Sequence, residues 1–237
     1  MTSSDAKRKK AEITRQRILD AALPLMLDGG YEKMTMRAIA KKAGLSPGAA
    51  YYYFETKEHI INAFYERSLV QHEAACRTIL EEEKNFAKRL KLCVQAQIEI
   101  SRPYHEISAA LFKVAADPNH PLSPFSEPSR PLRERSMRIF AEIYRGSRSR
   151  VPKPLDAFLP GLLWLYHMGI ILFWVYDKTP GQKKTDRFIE RTVPLLINLI
   201  RLAKVPGFSR ALKATLQLLD DFSFLKLPEA EKLSDKK

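Results

Sequence analysis

Cysteine is nearly absent from this chain of 237 residues: only Cys76 and Cys93 occur, both within stretches of helical apolar spacing. Two such thiols do not form the disulfide framework of a small secreted protein, and the N-terminus lacks the apolar segment of a signal peptide, so we expect a cytoplasmic location. Gly-rich phosphate loops, nucleophile elbows and Cys/His metal spacings are also missing. The sequence therefore predicts no catalytic residue, no metal site, no cofactor and no enzyme.

Acidic residues are too few to balance the basic ones. The chain has 40 lysines and arginines against 27 aspartates and glutamates, which gives a formal net charge of +13 and an isoelectric point near 9.7. Such an excess indicates a polyanionic partner, either nucleic acid or an anionic membrane surface. Charge alone does not choose between these two partners.

Charge is absent altogether from Ala157–Tyr176, a run long enough to cross a bilayer. Pro160 and Gly161 near its start, the central His167 and the amphipathic patterns on either side favour a buried helix in a soluble core or dimer interface. A membrane span is the alternative interpretation.

No strand or hairpin pattern occurs, and the apolar spacing predicts an all-α fold. The first predicted helix covers Glu12–Asp28 and stops at two glycines. Thr35 is the N-cap of a short second helix, and Pro47–Tyr53 forms a third. Thr56 caps a longer helix that continues to about Ala75.

The rest of the chain is also predicted to be helical. An exception is Asp117–Pro131, whose five prolines predict an extended loop. Helices are expected over 132–144, 185–204 and 209–225. The helix over 185–204 carries two adjacent apolar stripes, which need more partners than one neighbouring helix supplies.

The second and third helices, joined by Gly44-Leu45-Ser46, have the lengths of a helix-turn-helix. Gly44 lies in the turn, where a side chain would clash, and Ala40 is small where the helices approach. Such a motif can place its second helix in the DNA major groove with the helix N-terminus near phosphates. Because the same geometry serves plain packing, the spacing by itself leaves both roles open.

The wider run from Arg15 to Ile61 resembles the amino-terminal domain of the TetR family of transcriptional regulators. The family pattern pairs an "I..AA...F...G" first helix with "T...IA..AG.S.G..Y.hF..K..L". The matching residues are Ile18, Ala21, Ala22, Gly30, Thr35, Ile39, Ala40, Ala43, Gly44, Ser46, Gly48, Tyr51, Phe54 and Lys57. Met26 replaces a common phenylalanine, and Tyr53 replaces a common histidine.

The resemblance implies roles for individual residues of the motif. Four of them would hold phosphates: Thr35, Tyr51, Tyr53 and Lys57. Four would face the groove: Pro47, Gly48, Ala49 and Tyr52. Ser46 would cap the inserted helix, and Arg37, Lys41 and Lys42 would add electrostatic attraction, although a solvated face explains each of these cations as well.

The resemblance also implies a homodimer with two domains in each chain. We expect a disordered basic arm over residues 1–11, a helix-turn-helix DNA-binding domain over 12–57, an effector-binding and dimerisation domain over 58–227, and a polar tail over 228–237. The helices over 154–177 and 185–204 would pair with their copies as a four-helix core, a role that the uncharged run and the double stripe suit independently.

The predicted function is a DNA-binding regulator, most simply a repressor, that a small hydrophobic effector releases from a near-palindromic operator. The candidate pocket residues are Phe112, Phe140, Tyr144, Trp164, His167 and Phe173. Apolar cores use the same residue types, and a buried histidine is more often a core or pocket residue than a metal ligand. Two alternatives stay open: a helical small-molecule enzyme, and a basic protein anchored in a membrane by 157–176.

Overall fold

The computed structural model describes residues 3–151 and 153–203, together with Val205 and Ala214. All regular structure in these residues is helical, which confirms the predicted fold class. The α-helices are α1 (Ser3–Lys33), α2 (Met36–Lys42), α3 (Pro47–Tyr53), α4 (Lys57–Glu82), α5 (Phe86–Ser101), α6 (His105–Ala115), α7 (Arg130–Arg145), α8 (Lys153–Asp156), α9 (Leu159–Tyr176) and α10 (Lys183–Leu202). Apart from Ala214, the predicted helix over 209–225 and the tail over 228–237 lie outside the described residues.

Two compact units divide the chain. The first unit draws on Met1–Ser68 and Tyr104–Arg130, and the second draws on Leu69–Pro103 and Pro131–Lys237. The division differs from the predicted one, which placed a single boundary after residue 57. Residues 104–130 belong to the first unit although residues 69–103 of the second unit separate them from residues 1–68 in the chain.

Apolar residues of α6 and of the proline-rich loop explain this grouping. Ile107 and Leu111 on α6 and Leu122 in the loop are buried in one core with residues of α1–α4. The loop folds back on itself, since the Ser126 hydroxyl donates to the carbonyl oxygens of Pro121 and Ser123. The predicted extended loop is therefore a series of turns that delivers Leu122 to the core of the first unit.

The helix-turn-helix of the first unit is confirmed as α2 and α3. Thr35 and Ser46 are their N-caps, as predicted, because each hydroxyl oxygen accepts the backbone N–H three residues later. Gly44 between them has φ +64°, the left-handed region that favours glycine. Ala40 and Ala50 are fully buried, as close helix packing requires.

The first helix extends further than predicted. It begins at Ser3, so the described part of residues 1–11 is helical rather than a disordered arm. The physical reason is composition: alanine, lysine, arginine and glutamate are strong helix formers, and they prolong a helix already fixed in the core from Ile18 onward. At its other end Gly30 has φ 75° and ψ 170°, so the helix breaks close to the predicted glycine stop.

The second unit contains the uncharged run as α9. The buried side of α9 carries Leu163, Trp164, His167, Ile170 and Trp174. By length and composition it is the one helix in the described part of the chain that could cross a membrane, although half of it is buried within the protein. A core helix passes the same test of length and composition.

α10 carries the two predicted apolar stripes, and they differ in burial. Ile189, Val193, Ile197 and Ile200 are buried, whereas Leu195, Leu199 and Leu202 are exposed. One stripe therefore completes the core of the second unit and the other is left at its surface.

A buried arginine holds two helix ends of the second unit together. Arg89 on α5 is only 3 % exposed, and its guanidinium donates to the carbonyl oxygens of Leu80, Glu83, Glu142 and Ile143. These carbonyls lie at the C-terminal ends of α4 and α7, where backbone acceptors lack helical partners and a positive charge is favourable. Arg89 therefore satisfies acceptors that would otherwise be buried unpaired.

Candidate nucleic-acid interface and effector site

Two tyrosines of α3 lie largely in solvent. Tyr52 is 83 % exposed and Tyr51 is 50 % exposed. Tyr53 is half-buried and contacts Tyr52 edge-on, with ring centroids 5.2 Å apart and planes at 90°. Ala50 and Phe54, which flank this run, are buried. Consecutive helical residues turn by about 100°, so the three phenols point in different directions around a helix whose opposite side is anchored.

The start of α3 is open to solvent as well. Ser46, Pro47 and Gly48 are exposed, and Ala49 is half-buried. A Cβ added at Gly48 would meet no atom within 4 Å, so this turn presents bare backbone. At the start of the preceding helix α2, the N-cap Thr35 and Arg37 are also exposed. All of these residues are at least partly open to solvent in the first unit.

Lys57 is held more closely than the sequence indicated. Its Nζ donates to the carbonyl oxygen of Tyr31 at 2.9 Å and lies 3.8 Å from the centre of the Tyr31 ring. The Tyr31 hydroxyl in turn hydrogen-bonds the carboxylate of Glu58. An ammonium has three N–H donors, so the bond to Tyr31 orients Lys57 and leaves donors for a second acceptor.

The Tyr31–Glu58 pair favours one protonation state. Burial, and then the hydrogen bond to the Glu58 carboxylate, raise the pKa of the Tyr31 phenol above its usual range. Burial pushes the pKa of Glu58 upward, but the hydrogen bonds from Tyr31 and Thr56 outweigh it and the pKa is lowered. A neutral phenol therefore donates to an ionised carboxylate near physiological pH.

Sequence reasoning missed the support that α1 gives to the motif. The Arg15 guanidinium lies 4.4 Å from the centre of the Phe54 ring at the end of α3. Arg17 donates to the carbonyl oxygen of Gly44 in the turn at 3.4 Å. Charge alone could not reveal these roles, because an arginine on an amphipathic helix is usually solvated.

The six candidate pocket residues are divided between the two units. Phe112 is half-buried on α6 in the first unit, whereas the other five belong to the second. Phe173 is 36 % exposed and stacks on Phe188, with centroids 4.4 Å apart. Helical spacing identifies an apolar residue but does not say which face of a two-sided helix is covered.

Four of the candidates are buried in the second unit. Phe140, Tyr144, Trp164 and His167 all lie in its core. Phe140 and His167 are in contact, with ring centroids 5.3 Å apart. Tyr144 packs against Phe86, and its hydroxyl accepts the backbone N–H of Val151. The buried set therefore has two parts, one centred on His167 and one on Tyr144.

A second histidine, which the sequence did not single out, completes the first part. His72 on α4 is buried and lies parallel to His167, with centroids 5.9 Å apart and planes at 12°. Burial lowers the pKa of His72, and burial together with the neighbouring His72 lowers the pKa of His167 to about 3. Both imidazoles are therefore neutral near pH 7. Because α4 and α9 are far apart in sequence, no local sequence pattern could predict that His72 and His167 are in contact.

Metal binding finds no support in the part of the chain that the structure describes. No group of three or more histidine, cysteine, aspartate or glutamate side chains has an arrangement that could hold an ion. Cys76 and Cys93 are buried and free.

Two family models match this chain, one in its N-terminal part and one in its C-terminal part. Residues 18–64 match the family described as bacterial regulatory proteins of the tetR family, and residues 89–221 match the Tetracyclin repressor-like C-terminal domain. The second match agrees with the C-terminal helical domain that the resemblance implied, although no motif in that part of the sequence identified it.

Individual curated relatives are similar in sequence to this chain over short segments. The HTH-type transcriptional repressor KstR of Rhodococcus jostii is 44 % identical over 59 residues, which is 25 % of this chain and 26 % of that protein. The fatty acid metabolism regulator protein of Bacillus subtilis is 25 % identical over 91 residues, or 38 % of this chain and 47 % of the relative. The matched segments thus cover about a quarter to a half of these curated relatives, which are transcriptional regulators and not enzymes.

Solved structures share the fold over most of the chain. FadR of Bacillus subtilis in complex with stearoyl-CoA has a TM-score of 0.60 at 18 % identity, covering 75 % of this chain and 97 % of that one. A TetR transcriptional regulator of Nitrosomonas europaea has a TM-score of 0.59 at 15 % identity, covering 76 % and 96 %. Since the model for the C-terminal domain spans more than half of the sequence and the helix-turn-helix model matches ahead of it, this chain belongs to the TetR family of transcriptional regulators.

Proposed function

We propose that this protein is a dimeric transcriptional repressor that binds a near-palindromic DNA operator and is released from it by a small hydrophobic effector. The observation that carries the proposal is α3: a short helix with a capped, exposed N-terminal turn and outward tyrosines, seated on a buried alanine face. A helix of this kind fits the major groove.

The proposed contacts follow from exposure and chemistry. Hydroxyl and ammonium donors would hold phosphates, namely Thr35, Tyr51, Tyr53 and Lys57, with Arg37 adding charge and Ser46 keeping the helix capped. Base edges would face Pro47, Gly48, Ala49 and Tyr52. Phosphate contacts position a protein on DNA and base contacts choose the sequence, so these two sets have separable effects.

The proposed dimer would use the apolar surface left on the second unit. Leu172, Phe173 and Tyr176 are exposed on α9, and Leu195, Leu199 and Leu202 are exposed on α10. The Phe173–Phe188 stack ties the two helices together at this surface. Two protomers joined here as a four-helix core would present two copies of α3 to half-sites about one DNA turn apart.

The effector proposal places an apolar molecule in the second unit. The solved relative FadR binds stearoyl-CoA, and a curated relative regulates fatty acid metabolism, which supports an effector with an apolar body. Binding would favour a conformer with unsuitable spacing of the two α3 helices, so that the effector releases DNA through its differential affinity for the two states. The site of action would be the cytoplasm.

Selection of bound DNA from a random library, followed by fluorescence anisotropy on the selected operator, tests the proposal. We expect affinity to fall linearly with salt on logarithmic scales. Tyr51→Phe should weaken all operators alike, since it removes only a phosphate donor. Tyr52→Ala should change the ranking of operators, with about tenfold loss on the preferred one.

Phe125→Ala is the matched control, because Phe125 is an exposed aromatic of the first unit outside α3. Its affinity should equal that of the wild type. Equal operator rankings for wild type and Tyr52→Ala, or absence of any selected sequence, would contradict the assignment of α3 as the reading helix.

A further inference from the structure

His167 carries a buried nitrogen without a hydrogen-bond partner. The residue is 3 % exposed, and its Nδ1 has no partner among the residues that the structure describes. Leu163, Trp164 and Ile170, one turn away on the same side of α9, are buried too. A buried polar atom in apolar surroundings is costly unless something bonds to it, so this atom requires an explanation.

His72 fixes the other half of the pair. Its Nε2 lies 2.8 Å from the carbonyl oxygen of Cys93. A carbonyl only accepts, so Nε2 of the neutral His72 carries the proton and its Nδ1 is an acceptor. The ring is thus held in one tautomer and one orientation, parallel to His167, whose ring also contacts Phe140. The arrangement is a rigid, uncharged platform around one unsatisfied nitrogen.

The charged side chain next to His72 in the chain is already paired. Arg135 forms a two-pronged ion pair with Glu73, the neighbour of His72, at 3.1 and 2.7 Å. Arg89, also buried in this unit, directs its guanidinium at backbone carbonyls. An ionised carboxylate at His167 would therefore need a cation that these contacts do not provide, and a cationic ligand would need an anion. An uncharged polar group is the better match.

We propose that the His72–His167 pair is the polar anchor of the effector site and that it selects an uncharged apolar molecule bearing a hydroxyl group, which bonds to Nδ1 of His167. With the His167 proton on Nε2, Nδ1 accepts the hydroxyl proton, whereas an ether oxygen or an ionised carboxylate only accepts and cannot bond to this nitrogen. The apolar body of the molecule would lie against the surrounding apolar core. This inference rests on the proposed function, because it names the chemistry of the effector that the second unit takes.

Matched probes test the hydroxyl requirement. The probes are straight-chain 1-alkanols from hexanol to tetradecanol, the methyl ethers of equal length and the corresponding carboxylates, each added to the full chain. Thermal stability without DNA and release of the selected operator are measured. At least one alkanol should raise the melting temperature and release DNA, with its ether and carboxylate binding about tenfold more weakly.

His167→Phe should abolish this preference, because it replaces the unpartnered nitrogen by carbon at similar shape. His59→Phe, a histidine on the exposed part of α4, should keep it. In the wild type the ¹⁵N resonance of the His167 Nδ1 atom should shift with the alkanol and stay in place with the ether, a readout that does not depend on the folding of any variant.

The inference is overturned if no alkanol stabilises the wild type, if the ether or the carboxylate binds as well as the alkanol, or if the Nδ1 resonance does not respond. These results leave the proposed function standing, provided that the protein without probe binds its operator. A protein that binds no DNA but prefers alkanols would overturn the proposed function and leave the site intact.

Discussion

At the scale of single residues, Gly146 has no room for a side chain because the buried Arg89 guanidinium lies against it. A Cβ at this position would lie 2.4 Å from Nη1 and 2.8 Å from Nη2 of Arg89. The guanidinium cannot move aside without losing the carbonyls of Leu80, Glu83, Glu142 and Ile143 that it bonds. The glycine is therefore demanded by its neighbour and not by its own backbone angles.

Gly146→Ala should lower the free energy of unfolding by about 1–3 kcal/mol, the usual effect of overpacking a rigid site. Urea denaturation followed by circular dichroism measures it. Gly48→Ala is the matched control, because a Cβ there meets no atom within 4 Å; its stability should equal that of the wild type to within about 0.5 kcal/mol. Equal stability of the Gly146 variant would show that Arg89 is not held as described.

At the scale of elements, the joint between α9 and α10 depends on one carboxylate. Asp177, which follows α9, is 4 % exposed. Its Oδ1 accepts the backbone N–H and hydroxyl of Thr179, and its Oδ2 accepts the backbone N–H and hydroxyl of Thr185. Burial raises the pKa of this carboxyl, but the bonds from Thr179 and Thr185 prevail and lower the pKa to about 2.

Asp177→Asn should destabilise the protein by about 1–3 kcal/mol at pH 7, because the new amide NH₂ faces a backbone N–H and leaves it unsatisfied. The native pKa lies below the ordinary value of 3.8, so the carboxylate stabilises the fold above that pH and loses its effect as the pH falls toward about 2. Unfolding measured from pH 7 to pH 2 should therefore show a gap between wild type and variant that is constant above pH 3.8 and narrows below it.

The exposed Asp28→Asn is the control for this series, since its ion pair with Lys42 spans 4.0 Å at the surface and such pairs contribute little. A constant gap between wild type and Asp177→Asn across the pH range would contradict the assignment of the lowered pKa to Asp177.

Most elements could be predicted from sequence, because each carries its own local signals. Thr35 and Ser46 mark the starts of α2 and α3, and Gly44 marks the turn, so the sequence predicts the helix-turn-helix. The N-terminal part of α1 is not predicted, because its polar composition indicates a disordered arm although its residues are good helix formers. His167 is among the predicted pocket residues, but its pairing with His72 is not predicted, since His72 on α4 and His167 on α9 meet only through tertiary packing.

At the scale of the whole molecule, the exposed row on α10 should govern assembly. Leu195 is 61 % exposed and Leu199 is 55 % exposed. Neighbouring exposed leucines form an apolar patch of the kind that marks a protein–protein interface. Leu195→Glu combined with Leu199→Glu should convert the proposed dimer to a monomer in sedimentation equilibrium. Operator affinity should fall more than tenfold, because the two half-sites then bind separately.

Leu27→Glu is the corresponding control, an exposed leucine of α1 in the first unit, and it should sediment as the wild type does. A dimer that survives both charges on α10 would move the proposed interface elsewhere.

The membership of residues 104–130 in the first unit has a consequence for protein engineering. Hybrid regulators are made by joining the DNA-reading end of one protein to the sensing end of another at a single crossover. In this chain a crossover after residue 57 or 68 would remove Ile107, Leu111 and Leu122 from the core that α1–α4 share with them. A working hybrid has to take two separate stretches, 1–68 and 104–130, from the same parent. The DNA-binding specificity of this protein therefore cannot be transferred with one continuous segment.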